Sequence, residues 1–178
     1  MNVIRIEKLQ NHRALIPLVA GWLHREWGAI SAYHAPLNEV VRLQHHAATD
    51  SAPFTLISFW RNLPVGCVSV VFHDNFEQPW LTNLYVDPVY RERSVGTALV
   101  QAASLEASKA AFQKLMLVTG DQAAFFARLG WRILATQHFG STLTIMEKSL
   151  LPQTCLEADL LVPQTYPAIN TDHHLSPR

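Results

Sequence analysis

Leu84-Tyr85-Val86-Asp87-Pro88-Val89-Tyr90-Arg91-Glu92-Arg93-Ser94-Val95-Gly96-Thr97-Ala98 reads as a strand end, a turn of small and basic residues, and the opening of a helix. From Gly96 to Ala111 the apolar positions Leu99, Val100, Ala103 and Ala107 recur at helical spacing, which gives that helix one inward face. A strand that turns directly into a helix leaves several backbone N–H groups unpaired at the helix start. They converge where the helix dipole also favours negative charge, so the junction suits a phosphate. Gly96 and Ala98 keep bulk away from a ligand lying against the backbone, and Arg91 and Arg93 offer guanidinium donors to phosphate oxygens.

Outward from this junction the chain alternates strands and helices. Val3 to Ile6 alternates like a first strand. His12 to Trp27 carries Leu15, Leu18, Val19, Trp22, Leu23 and Trp27 at helical spacing and stops at Gly28. Pro36 opens a second helix, with Val40, Val41 and Leu43 read as inward and Arg42, His45 and His46 as facing water. Pro53 to Trp60 and Val65 to Phe72, joined by Arg61-Asn62-Leu63-Pro64, read as a hairpin rich in β-branched and aromatic residues. His73 to Pro79 is a polar loop before the strand Trp80 to Val86. Beyond the long helix come a strand (Leu115 to Thr119), a helix (Asp121 to Leu129, with Asp121 as its cap) and two strands, Trp131 to Thr136 and Thr142 to Met146. The order β-α-α-β-β-β-α-β-α-β-β predicts an α/β (α+β) layer fold with a mixed sheet.

Composition bounds the rest. A chain of 178 residues, 49% hydrophobic and 16% charged, fits one compact domain. We place that domain at residues 1–150. An irregular extension follows at 151–178, marked by Pro152, Pro163, Pro167 and Pro177. Basic and acidic side chains balance at 14 each, so no charge field recruits nucleic acid or an anionic membrane. No apolar run reaches the ~18–20 residues of a membrane-spanning helix, and the N-terminus lacks a signal-peptide pattern. Two distant cysteines, Cys67 and Cys155, fit a reduced, cytoplasmic protein and form no ligand cluster. The pairs His45-His46 and His173-His174 cannot each place two rings on one ion, so no metal is expected.

The turn resembles the signature of the GNAT superfamily of acetyltransferases: Arg or Gln, any two residues, Gly, any one, then Gly or Ala. Two registers fit. Arg91, Ser94 and Gly96 agree with the flanking Val86-Asp87-Pro88 and Tyr90, whereas Arg93, Gly96 and Ala98 match the letters better but sit two residues late. Downstream, Ala124-Phe125-Phe126-Ala127-Arg128-Leu129-Gly130-Trp131 resembles the family's second landmark, an aromatic pair followed by Gly and an aromatic. The resemblance covers Val65 to Lys148, extends back to Val3, and leaves out the tail.

This resemblance implies a mostly antiparallel central sheet splayed at its middle, with helices on both faces. It implies acetyl-CoA as cosubstrate and no metal, with contacts at Leu84, Val86, Arg91, Glu92, Arg93, Ser94, Val95, Gly96, Thr97, Ala98, Thr119 and Phe126. The activity it implies is direct transfer of an acetyl group to a primary amine of a small molecule within a ternary complex, with no covalent enzyme intermediate. The Val86 N–H is the candidate oxyanion donor. Glu26, at the end of the first helix, and Asp74, on the loop before the splayed strand, are candidate bases. Two positions depart from the pattern. Ser94 stands where the family has Gly, and Phe126 stands where many relatives carry the tyrosine that protonates the leaving thiolate. Phenylalanine cannot donate, which leaves Tyr85, a water or unassisted departure.

The expected partner is a small-molecule amine, with a homodimer as a possible assembly. Phe126 motivates one rival, a catalytically inactive acyl-CoA-binding or regulatory module. A second rival, a nucleotide-binding βαβ protein, lacks Gly-x-Gly-x-x-Gly and Gly-Lys-Ser/Thr. Trp22 and Trp27 are read as core before acceptor cage.

Overall fold

A computed structural model of the chain describes residues 4–29, 36–73, 77–139 and 141–150. The expected tail, 151–178, and Asp74 lie outside the described residues.

Strand β1 (Ile4–Lys8) runs into a 3-10 segment, Leu9–Leu15, and then helix α1 (Ile16–Trp27). The expected single helix from His12 is therefore broken. His12 adopts φ −135° and ψ 44°, and Pro17 occupies the first turn of α1. Proline has a fixed φ and no N–H, so it starts a helix readily and cannot continue one. Helix α2 (Pro36–His46) follows. Its inward stripe differs from the expected one: Glu39, Leu43, His46 and Ala47 are buried, and Val41 is 57% exposed. The reason is polar satisfaction inside the fold. Glu39 pairs with Arg42, and His46 Nδ1 lies 2.9 Å from Thr55 Oγ1.

The hairpin forms as expected from β2 (Phe54–Trp60) and β3 (Leu63–Val71), with the turn reduced to Arg61-Asn62. β4 (Trp80–Val86) leads through a 3-10 turn, Pro88–Tyr90, into α3 (Val95–Lys109). β5 (Lys114–Thr119), α4 (Ala123–Arg128), β6 (Arg132–Phe139) and β7 (Ser141–Ser149) complete the described elements. Asp121 does not cap α4. The Gln122 N–H donates instead to Thr119 Oγ1 at 3.1 Å.

The strands form one sheet in the order β1-β2-β3-β4-β5-β7-β6, antiparallel throughout except for β4 and β5. Both faces are covered, which is why β2 and β3 read as unbroken apolar runs. Leu56, Val68, Leu81, Leu115 and Leu117 meet Leu99, Val100 and Ala103 of α3 and Phe126 of α4. Ile57, Phe59, Cys67 and Tyr85 meet Val19, Trp22 and Leu23 of α1 and Leu43 of α2. Each such large side chain contributes roughly 1.5–3 kcal/mol on full burial.

Candidate functional site

The sheet parts at its centre. β4 and β5 pair only at Trp80↔Met116, supported by the Met116 N–H donating to Pro79 O at 3.0 Å. Beyond that point β5 pairs along its length with β7, and β4 pairs only with β3. A gap thus opens between β4 and β5 toward the C-terminal end of β4.

The edge of β4 that faces this gap is shaped by a bulge. Cys67 pairs with Tyr85 and Ser69 with Thr82, so β4 carries one residue more than β3 between the two pairs. Asn83 absorbs the excess at φ 55°, a left-handed conformation that Asn tolerates better than most residues. Its side chain is held from behind: Asn83 Nδ2 donates to Ser69 Oγ at 3.4 Å, Ser69 Oγ lies 2.8 Å from Thr55 Oγ1, and Thr55 Oγ1 meets His46. Burial is the main reason that the His46 imidazole titrates low, at about 4, so it stays neutral at physiological pH. Burial also pushes the Cys67 thiol well up.

Past the bulge the ladder fixes which groups point where. The Asp87 N–H donates to Val65 O at 2.8 Å, which makes Gly66↔Val86 a pair of the non-hydrogen-bonded kind. The N–H and C=O of Val86 therefore turn away from β3, toward the gap. Gly66 is what lets the strands approach here, because a Cβ at that position would lie 2.6 Å from Tyr85 O.

The turn that follows is set by local bonds. Asp87 Oδ1 accepts from the Val89 N–H at 3.0 Å, and the Tyr90 N–H donates to Asp87 O at 2.8 Å. Glu92 and Ser94 both take positive φ, 60° and 62°, and Ser94 is the N-cap of α3 without a side-chain cap hydrogen bond. The residue in the family's glycine position is thus in a conformation that glycine would adopt freely. Ala98 N–H makes the first helical bond, to Ser94 O at 3.0 Å, and the preceding amides form the helix's open N-terminus. A Cβ on Gly96 would sit 3.6 Å from Phe125 Cζ and 3.7 Å from Val86 Cγ2, ordinary contact distances. The protein itself tolerates a side chain there, and its absence leaves a cradle beside the turn. Thr97 and Ala98 are half-buried, and Val95 is buried in the core.

The remaining predicted residues divide. Glu26 is exposed at the end of α1 and meets Arg91, whose terminal nitrogen lies 3.4 and 3.5 Å from the two carboxylate oxygens. Arg91 Nε also donates to Val86 O at 2.9 Å. Arg93 lies over Trp60 and Tyr90, 5.5 and 5.9 Å from the ring centroids. Tyr85 is 5% exposed and stacks on Trp22 at 5.3 Å. Burial raises its phenol and a hydrogen bond with Arg25 opposes that rise. Thr119 is buried and its hydroxyl oxygen accepts from the Gln122 N–H. Phe126 is buried edge-on against Phe125 and Trp131. Leu84 is half-buried on β4. Sequence reasoning missed Phe125 as the ring beside Gly96, and it missed the bulge, whose one signal is an Asn in an otherwise strand-like run.

Residues 55–133, from β2 into β6, match the family model described as the acetyltransferase (GNAT) domain. Over that stretch, a little under half of the chain, the sequence is similar to a GNAT acetyltransferase domain. That match takes in the β2–β5 part of the sheet, the turn, α3 and α4. The GNAT fold also appears in solved structures. An aminoglycoside 6'-N-acetyltransferase complexed with coenzyme A superposes at a TM-score of 0.67 and 16% identity, over 84% of this chain and 98% of that one. The PaiA N-acetyltransferase from Thermoplasma acidophilum, also complexed with coenzyme A, gives 0.59 and 21%, over 83% and 99%. N-acetylglutamate synthase from Neisseria gonorrhoeae gives 0.64 and 15%, over 85% of this chain and 36% of that one. At these identities the likeness is one of fold. No curated protein matches the chain by sequence. Among the described residues no helix is long and apolar enough to cross a membrane.

Proposed function

We propose that this GNAT domain moves an acetyl group from acetyl-CoA to a primary amine of a small molecule. The observation that carries the reading is the divergence of β4 from β5, which ends at a helix N-terminus whose Gly96 leaves a cradle open. Val86, and Leu84 two residues before it, supply strand-edge backbone to the pantetheine arm. The turn holds the pyrophosphate through the main-chain N–H groups between Arg91 and Ala98, whose own N–H groups bond Pro88 O and Ser94 O, with Arg93 beside it and Phe125 packing against the cradle. The neighbours named above include coenzyme A complexes, an aminoglycoside 6'-N-acetyltransferase and an N-acetylglutamate synthase, which supports a small amine as acceptor.

Acetyl-CoA brings an activated thioester, and the chain's residues do the rest. The Val86 N–H donates to the carbonyl oxygen as negative charge develops on it. The amine nitrogen bonds to the carbonyl carbon, the carbon–sulfur bond breaks, and the sulfur leaves as thiolate. Glu26 takes a proton from the amine. Phe126 cannot protonate the sulfur and Tyr85 is buried in its stack on Trp22, so the thiolate leaves unassisted; a thiol's ordinary pKa of about 8.5 permits this. Thr119 braces the start of α4 through its hydroxyl, and Glu92 is an exposed residue of the turn.

A second reading draws on the buried, non-donating Phe126: a module that binds acyl-CoA without efficient transfer. One assay separates the two. Release of free thiol from acetyl-CoA is measured with a panel of small amines, alongside calorimetric binding. Amine-dependent release supports the enzyme; binding without release under every amine leaves only the binding module.

A further inference from the structure

The guanidinium of Arg91 joins two parts of the site that the chain otherwise keeps separate. Its Nε donates to Val86 O at 2.9 Å, on the gap-facing edge of β4, and its terminal nitrogen meets Glu26 on α1 at 3.4 Å. Both charged side chains are open to solvent, 48% and 39% exposed, so the contact is weakly held and easily exchanged. The other turn arginine is occupied differently, lying over the rings of Trp60 and Tyr90. Arg91 also has extended backbone (φ −65°, ψ 161°), placed before the two left-handed residues Glu92 and Ser94 that shape the phosphate cradle. Its side chain is thus directed back along β4 to Val86.

We propose that Arg91 is a positioning residue that links cosubstrate entry to the carboxylate of Glu26. This inference rests on the acetyltransferase reading above and deepens it. In the free protein Arg91 covers the Val86 carbonyl and neutralises Glu26. A ligand laid along the edge of β4 competes for that carbonyl, and Arg91 gives it up. Once Arg91 moves, Glu26 loses its counter-ion and is released to accept a proton from the amine. The base is then presented only when the thioester is already in the gap. Arg91 in this account does not anchor the pyrophosphate.

The two roles for Arg91 predict opposite signs. If Arg91 competes with the cosubstrate for Val86, Arg91→Ala raises the affinity for coenzyme A by about twofold to fivefold, the range that corresponds to one exposed ion-pair contact. Glu26→Gln, which loosens Arg91 without touching the turn, acts in the same direction, and the double variant gains no more than Arg91→Ala alone. Calorimetric titration of the full chain with coenzyme A measures all three. The unaltered protein supplies an independent readout: the Arg91 Nε–H signal in nitrogen-resolved NMR shifts on saturation with coenzyme A. Affinity that is unchanged or lowered in Arg91→Ala, or an Nε–H signal that stays in place, overturns the proposal. Failure of the unaltered chain to bind coenzyme A at all sinks the acetyltransferase reading instead, so the two failures are distinct.

Discussion

The turn before α3 and the end of α1 flank the same gap, yet they are built from different material. The turn is made of backbone: two left-handed residues, an uncapped helix start and a missing Cβ at Gly96. The α1 side is made of side chains, with Glu26, Arg25 and Trp22 set by their bonds and stacking to Arg91 and Tyr85. A backbone site needs particular residue types at particular spacings, whereas a side-chain site is specified by what folds against it. The bulge between them belongs to both, since Asn83 supplies a backbone conformation and is held by a side-chain relay to His46.

The largest effect should come from filling the cradle. Gly96→Glu places bulk and negative charge where the pyrophosphate is proposed to lie, and coenzyme A affinity should fall by about 1,000-fold or more, roughly 4 kcal/mol. The fold should survive, because a Cβ there meets only ordinary contacts. Calorimetry for binding and thermal melting for the fold check both halves.

The relay is probed by acid. The His46 pKa falls from an unfolded value near 6.5 to about 4 on folding, so between those values the unfolded chain binds the extra proton. Stability should therefore decline as pH drops from 6.5 toward 4, by about 3 kcal/mol from this group. His46→Gln should flatten that part of the profile in denaturant titrations; an unchanged slope would show that other groups govern it.

Gly66→Ala tests the close approach opposite Val86. With Tyr85 O only 2.6 Å from the new Cβ, we expect a loss of about 2 kcal/mol in unfolding free energy. The smallest change is Ser94→Gly, which relieves a left-handed residue and should add up to about 1 kcal/mol. A destabilised Ser94→Gly protein would mean that the hydroxyl does more than the turn geometry shows.

The same contrast explains what was legible in the sequence. Alternation, helical spacing and Pro–Gly punctuation yield the element order, and the Val86-to-Ala98 junction points to the cradle because glycine and helix starts leave local marks. The kink at His12 was missed although Pro17 marks it, since the apolar spacing runs straight through the break. The inward stripe of α2 was misread because Glu39 and His46 are buried by partners, Arg42 and Thr55, that no local pattern announces. Arg91 was legible as a charge near the turn, but its hold on Val86 and Glu26 depends on α1 packing beside the end of β4, a tertiary fact.

The central claim is that the gap beside β4 and the N-terminus of α3 form one acyl-CoA site. Backbone amide NMR of the full chain during titration with acetyl-CoA tests it directly. The account predicts that the Val86 and Gly96 amides shift together, saturating at one ligand per chain. Saturable binding that leaves both amides unmoved, or no binding at all, would contradict it.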